Sequence, residues 1–181
     1  MVKNSMENKV FISRVKILLV SAFLLVLFIG CKDDVRTLER MNYEGDELRT
    51  DGFYYCLRKN KHAPTKMLVS FFYRNGVYLW GMFFYDTIPA HITKDSILSF
   101  ERFYSNSFDC WGVYQVSGNQ LFKEFEYHDG FDPRTHYCLT TSDIMNDTTF
   151  VNRDGYSDTI VYHFHKFDYK PDSTFALQWI P

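Results

Sequence analysis

Twenty Lys and Arg against 22 Asp and Glu leave the 181-residue chain at a formal net charge of −2, and beyond residue 30 the balance is 16 to 21, so nucleic acid is offered no basic surface. Aromatic residues make up 19% of the sequence, dominated by 18 Phe and 13 Tyr, a strand-forming composition that points to an all-β fold. The roughly 150 residues beyond residue 30 suffice for one domain with its own core and not for two.

Residues 1–16 carry Lys3, Lys9, Arg14 and Lys16 against Glu7 alone, and residues 17–29 follow without a charge. That is the layout of a signal peptide. A membrane-spanning helix needs about 20 apolar residues, and this run stops short of that before Gly30, Cys31 and two acids. Its end, Phe28-Ile29-Gly30-Cys31, resembles the lipobox of bacterial lipoproteins, in the looser form of the Bacteroidota type, with Phe28 where Leu is usual. The resemblance implies that residues 1–30 are removed and that Cys31 becomes a lipid-bearing N-terminus in the outer membrane. Several acyl chains together anchor permanently where one alone is marginal. Lys32-Asp33-Asp34 is similar to the signal that sends such lipoproteins to the cell surface; the other reading is the start of a solvated linker. With Cys31 committed to lipid, Cys56, Cys110 and Cys138 allow at most one bridge, and the sequence leaves the pair open. No Cys-x-x-Cys spacing suggests zinc or redox chemistry.

Residues 31–50 are polar and charged apart from scattered Val35, Leu38, Met41 and Leu48, and read as a lipidated tether with at most one helical turn. The domain, residues 51–181, opens with a strand over 53–58 and a loop over 59–66 that contains Pro64. Asn75-Gly76 between the apolar runs 67–73 and 77–85 specifies a hairpin, because both turn residues accept positive φ. The second arm is apolar on both faces, Val77, Leu79 and Phe83 against Tyr78, Trp80, Met82 and Phe84, so both must be covered. Ile97, Phe100, Phe103 and Tyr104, at three-to-four spacing behind Asp95, predict a short helix over 95–104.

Strands follow at 110–116, 120–127, 135–143, 148–153 and 159–167, separated by Ser117-Gly118-Asn119, a loop over 128–134, Asn146-Asp147 and Asp154-Gly155. Eight consecutive strands on short turns suit an antiparallel up-and-down barrel, which removes its own edges; a two-sheet sandwich is the alternative. The pattern resembles the lipocalin-like domains of Bacteroidota lipoproteins, through Trp111-Gly112-Val113-Tyr114 and Asn146-Asp147-Thr148-Thr149-Phe150, with Gly52-Phe53-Tyr54 where lipocalins carry Gly-x-Trp.

Candidate chemistry is sparse. His163 and His165 share one face of the last strand and could meet His136 or a carboxylate on a metal, but no third ligand follows from spacing, and a solvated face explains them as well. Glu124 and Glu126 share a face without an opposed acid, so they make no glycosidase pair. No nucleophile elbow, phosphate loop or His-Glu-x-x-His helix occurs, so neither catalysis nor a cofactor is expected. Asp followed by Ser or Thr and then an apolar residue or Thr recurs at Thr87, Ser96, Thr148, Thr159 and Ser173. This resembles the O-glycosylation acceptor of Bacteroidota envelope proteins; ordinary turn chemistry is the other reading.

Two functions fit. One is a non-catalytic structural or interaction lipoprotein whose barrel is packed solid by Phe and Tyr and which meets an envelope protein. The alternative is a barrel that takes a small apolar or sugar-like ligand, and an interior cavity distinguishes the two.

Overall fold

The computed structural model describes residues 35–60, 63–85, 93–104, 107–128, 134–153 and 159–180. Residues 1–30, read above as a signal peptide, and Cys31, Lys32, Asp33, Asp34 and Thr87 lie outside them. Eight strands follow one another: β1 (Gly52–Asn60), β2 (Ala63–Phe72), β3 (Val77–Tyr85), β4 (Trp111–Ser117), β5 (Gln120–His128), β6 (Thr135–Asn146), β7 (Thr149–Arg153) and β8 (Thr159–Lys166). Each pairs antiparallel with the next, and β8 returns to β1, where Tyr54 faces Phe164. The result is the closed eight-stranded up-and-down barrel that the sequence predicts, and closure excludes the sandwich.

Strand alternation divides the apolar residues into two clusters. Tyr54, Phe72, Tyr78, Tyr114, Leu121, Phe150 and Tyr162 point inward and are buried against one another. Phe53, Met67, Val69, Phe71, Val77, Leu79, Trp111 and Val113 point outward and are equally buried. What covers them is α1 (Lys94–Tyr104), through Ile97 and Phe100, and the C-terminal segment, through Ala176 and Ile180. The helix falls where its spacing predicts, and Tyr104 fixes it to the sheet by donating to the Met82 carbonyl at 2.6 Å. The C-terminal segment is held in turn by Tyr73, whose hydroxyl donates to the Pro171 carbonyl at 2.9 Å, and by Lys170, whose ammonium donates to the Thr50 and Phe72 carbonyls at 2.7 and 2.6 Å.

Two stretches depart from the sequence reading. The loop expected over 59–66 is largely strand, because β1 runs to Asn60 and β2 begins at Ala63. Pro64 has no N–H to give a ladder, and the pairing slips between Arg58 and Asn60, where no bond is asked of it. The segment expected to be a tether, as far as it is described, lies against the barrel as a strap with no helical turn. Tyr43 and Leu48 are buried in the inner cluster and close the barrel floor beneath Tyr54, Phe72 and Phe150. Backbone bonds secure the crossing, from Tyr43 N–H to the Arg74 carbonyl and from Arg49 N–H to the Asp147 carbonyl. Mean polarity conceals this, since a strap needs only one or two apolar residues at the right places.

Candidate functional site: the barrel interior

The lower half of the interior is filled with rings. Phe72 meets Tyr114 at 4.9 Å, Tyr54 meets Phe150 at 5.2 Å, and Phe150 stacks on Tyr162 at 4.6 Å. Above them lies a cavity of about 240 Å³, whose walls include Leu68, Trp80, Lys123, Phe125, Asn152 and Ile160. The ladder explains the placement: Tyr114, Lys123 and Thr140 stand opposite one another on β4, β5 and β6, and Tyr54, Ser70 and Trp80 do so on β1, β2 and β3.

Lys123 is the unusual member. Its side chain points inward between Leu121 and Phe125, and the residue is only 6% exposed. Among the described residues the ion pairs lie elsewhere, and no carboxylate is in salt-bridge reach of Lys123. Its ammonium instead stands 5.0 Å from the Phe150 ring centre and 5.6 Å from that of Tyr162, a cation–π contact that offsets only part of the loss of water. Burial therefore pulls the Lys123 pKa down to about 8, while the Cys138 thiol opposes the shift. Of the buried polar atoms without a partner among the described residues, two belong to the barrel interior: Nε1 of Trp80, on the cavity wall, and Oγ of Ser142, on the inner row of β6. A buried donor without an acceptor costs about 1–3 kcal/mol, so cations and donors gathered in one cavity make a receptive lining.

The barrel is also split along one seam. Only Gly52–Tyr55 of β1 pairs with β8, so beyond Tyr55 the two strands part, leaving a groove of about 520 Å³ flanked by Leu57, Thr159, Val161 and His163. Arg58 and Ile160 line both this groove and the interior cavity, which connects the cavity to the barrel's side.

The residues singled out in the sequence are mostly elsewhere. His163 and His165 point outward and are exposed, His136 is on the inner row of β6 beside Tyr127, and among the described residues no three His, Cys, Asp or Glu side chains gather as metal ligands. Glu124 and Glu126 share the outer face, where Glu124 binds the strap and Glu126 accepts from Tyr137 at 3.4 Å. Cys56, Cys110 and Cys138 form no disulfide with one another, and burial raises the pKa of the first two. Of the candidate acceptor hydroxyls, Thr159 is exposed at the start of β8; Ser96 lies in the first turn of α1; Thr148 donates to Asn146 Oδ1 at 2.8 Å; and Ser173 accepts from Asn75 Nδ2 at 3.1 Å. Lys123 went unnoticed, although a signal was present: in Leu121-Phe122-Lys123-Glu124-Phe125 the lysine occupies the same row as Leu121 and Phe125, the row that enters the barrel.

No family model, curated protein or solved structure matches this chain. Its chemistry is read from its own residues.

Proposed function

We propose that the chain is a non-catalytic envelope lipoprotein, anchored in the outer membrane through lipid on Cys31, whose barrel holds one small ligand in its interior. The observation that carries the binding reading is the cavity of about 240 Å³ inside the barrel, lined by apolar walls, by the Lys123 side chain and by a Trp80 indole N–H that lacks a partner. Such a combination of apolar lining with a few convergent donors is the usual make-up of a small-molecule site. The charge, the uncharged run and the Gly30-Cys31 junction support the anchor, and Lys32-Asp33-Asp34 supports a surface-exposed location.

A second reading, an interaction module for an envelope protein, is favoured by the rings that fill the lower interior and by outward Leu139 and Val161, which remain exposed. One experiment separates them. A library of small acids, alcohols and sugars is screened by methyl NMR; ligand binding predicts shifts at Leu68 and Ile160, the inward methyl groups of the cavity. Shifts confined to outward methyls such as those of Leu139 and Val161 would rule it out in favour of the interaction module.

A further inference from the structure

We infer that the ligand of this cavity carries a single carboxylate, received by the Lys123 ammonium and the Trp80 Nε1–H, on a body no larger than one ring or a short chain. The inference rests on the binding reading proposed above and narrows it. Lys123 is a cation only 6% exposed to solvent, and among the described residues rings rather than an acid balance it. Trp80 lines the same cavity and has a buried indole N–H with nothing to accept it. A carboxylate answers both deficits, since its two oxygens can accept from two donors at once. Its single negative charge also matches the one buried ammonium, with Arg58 standing where the cavity opens to the seam.

Size narrows the class further. A cavity of about 150 Å³ accepts benzene, and drug-sized ligands occupy about 300–1,000 Å³. At about 240 Å³ the space itself admits a ring or a short alkyl chain with its acid group, and a longer body would have to run out through the seam. Leu68, Phe125 and Ile160 give the body an apolar surround, and Arg58, shared with the open seam, places a second cation on the way in.

The test is calorimetric titration of the full chain in detergent with 4-fluorobenzoate and hexanoate, each beside its neutral amide, and with phenyl phosphate. The acids should bind about tenfold or more tightly than the amides, and Lys123→Met should abolish that preference while Trp80→Phe weakens it. In wild type the acid affinity should also fall as the pH is raised from about 7 to about 10, because the lysine loses its proton, while amide affinity stays level. That comparison needs no variant and stands even if Lys123→Met fails to fold. Equal binding of acids and amides would overturn the carboxylate while leaving the binding reading intact. Tighter binding of phenyl phosphate would overturn the monoanion. Failure of acids, amides and phosphate alike would remove the carboxylate and the binding reading together.

Discussion

Thr37 holds the Glu124 carboxylate by two atoms, its hydroxyl at 2.7 Å and its backbone N–H at 3.0 Å, across 87 residues of sequence. Leu38 adds a further N–H at 2.8 Å, so a carboxylate that is only 2% exposed is satisfied entirely by the strap. Glu124→Leu removes the acceptor and leaves three donors unpaired. It should destabilise the protein by about 1–3 kcal/mol and speed amide exchange at Thr37 and Leu38. Unchanged exchange at those two amides would show that the strap is held by other contacts.

The buried lysine predicts a pH dependence of known sign. The Lys123 pKa in the folded protein is near 8, below its ordinary 10.5, so the cost of burying the charge is fully present below pH 8 and is relieved as the pH rises between the two values. Lys170, also lowered to about 8 by burial, acts in the same direction. Above about pH 10 the buried hydroxyls of Tyr54, Tyr73 and Tyr114, all raised by burial, resist ionisation and reverse the trend. Lys123→Met should therefore be more stable than wild type near pH 7, by about 1–3 kcal/mol, and the gap should narrow towards pH 10. Urea melts at pH 7 and pH 9.5 check it; a gap that widens with pH contradicts the burial of the charge.

Two hairpin glycines offer a controlled comparison. Gly76 and Gly118 both adopt positive φ, 80° and 58°. A Cβ on Gly76 would fall 2.0 Å from the Met41 carbonyl oxygen of the strap, whereas one on Gly118 would meet nothing within 4 Å. Gly118→Ala should cost only the left-handed backbone penalty, about 1 kcal/mol, and Gly76→Ala distinctly more because the strap must move. Equal losses in thermal melts would mean that the strap does not press on this turn.

The anchor is checked directly. Growth with a clickable fatty acid should label the wild type and not Cys31→Ser. On intact cells, added protease should reach the wild type and spare a variant with Ala at residues 32–34. Labelling of both proteins, or equal accessibility of both, removes the lipid or the export signal respectively.

The barrel was legible because its evidence is local. Asn75-Gly76, Asn146-Asp147 and the strand-forming runs 77–85 and 120–127 each mark a turn or a strand without reference to distant residues. The strap was not, because what buries Tyr43 and Leu48 is a floor built from Tyr54, Phe72 and Phe150, brought together only when the barrel closes. Lys123 lay between these cases. Its row could be counted along β5, but the missing acid is a property of the opposite wall, and no single strand reveals it.

If Cys31 carries lipid, as proposed, the course of the strap sets which way the molecule would face. Arg36 sits over the Tyr137 ring at 5.3 Å, so the chain leaves the barrel from the flank of β5 and β6 rather than from its floor. From Val35 back to Cys31 a fully extended chain reaches at most about 14 Å. A lipid on Cys31 would then draw that flank down onto the headgroups and allow no stalk. In a ring of eight strands the open seam between β1 and β8 lies on the far side from β5, so such an anchor would turn it away from the bilayer. A guest entering by that seam would arrive from the aqueous side, as a dissolved molecule and not by sliding out of the membrane.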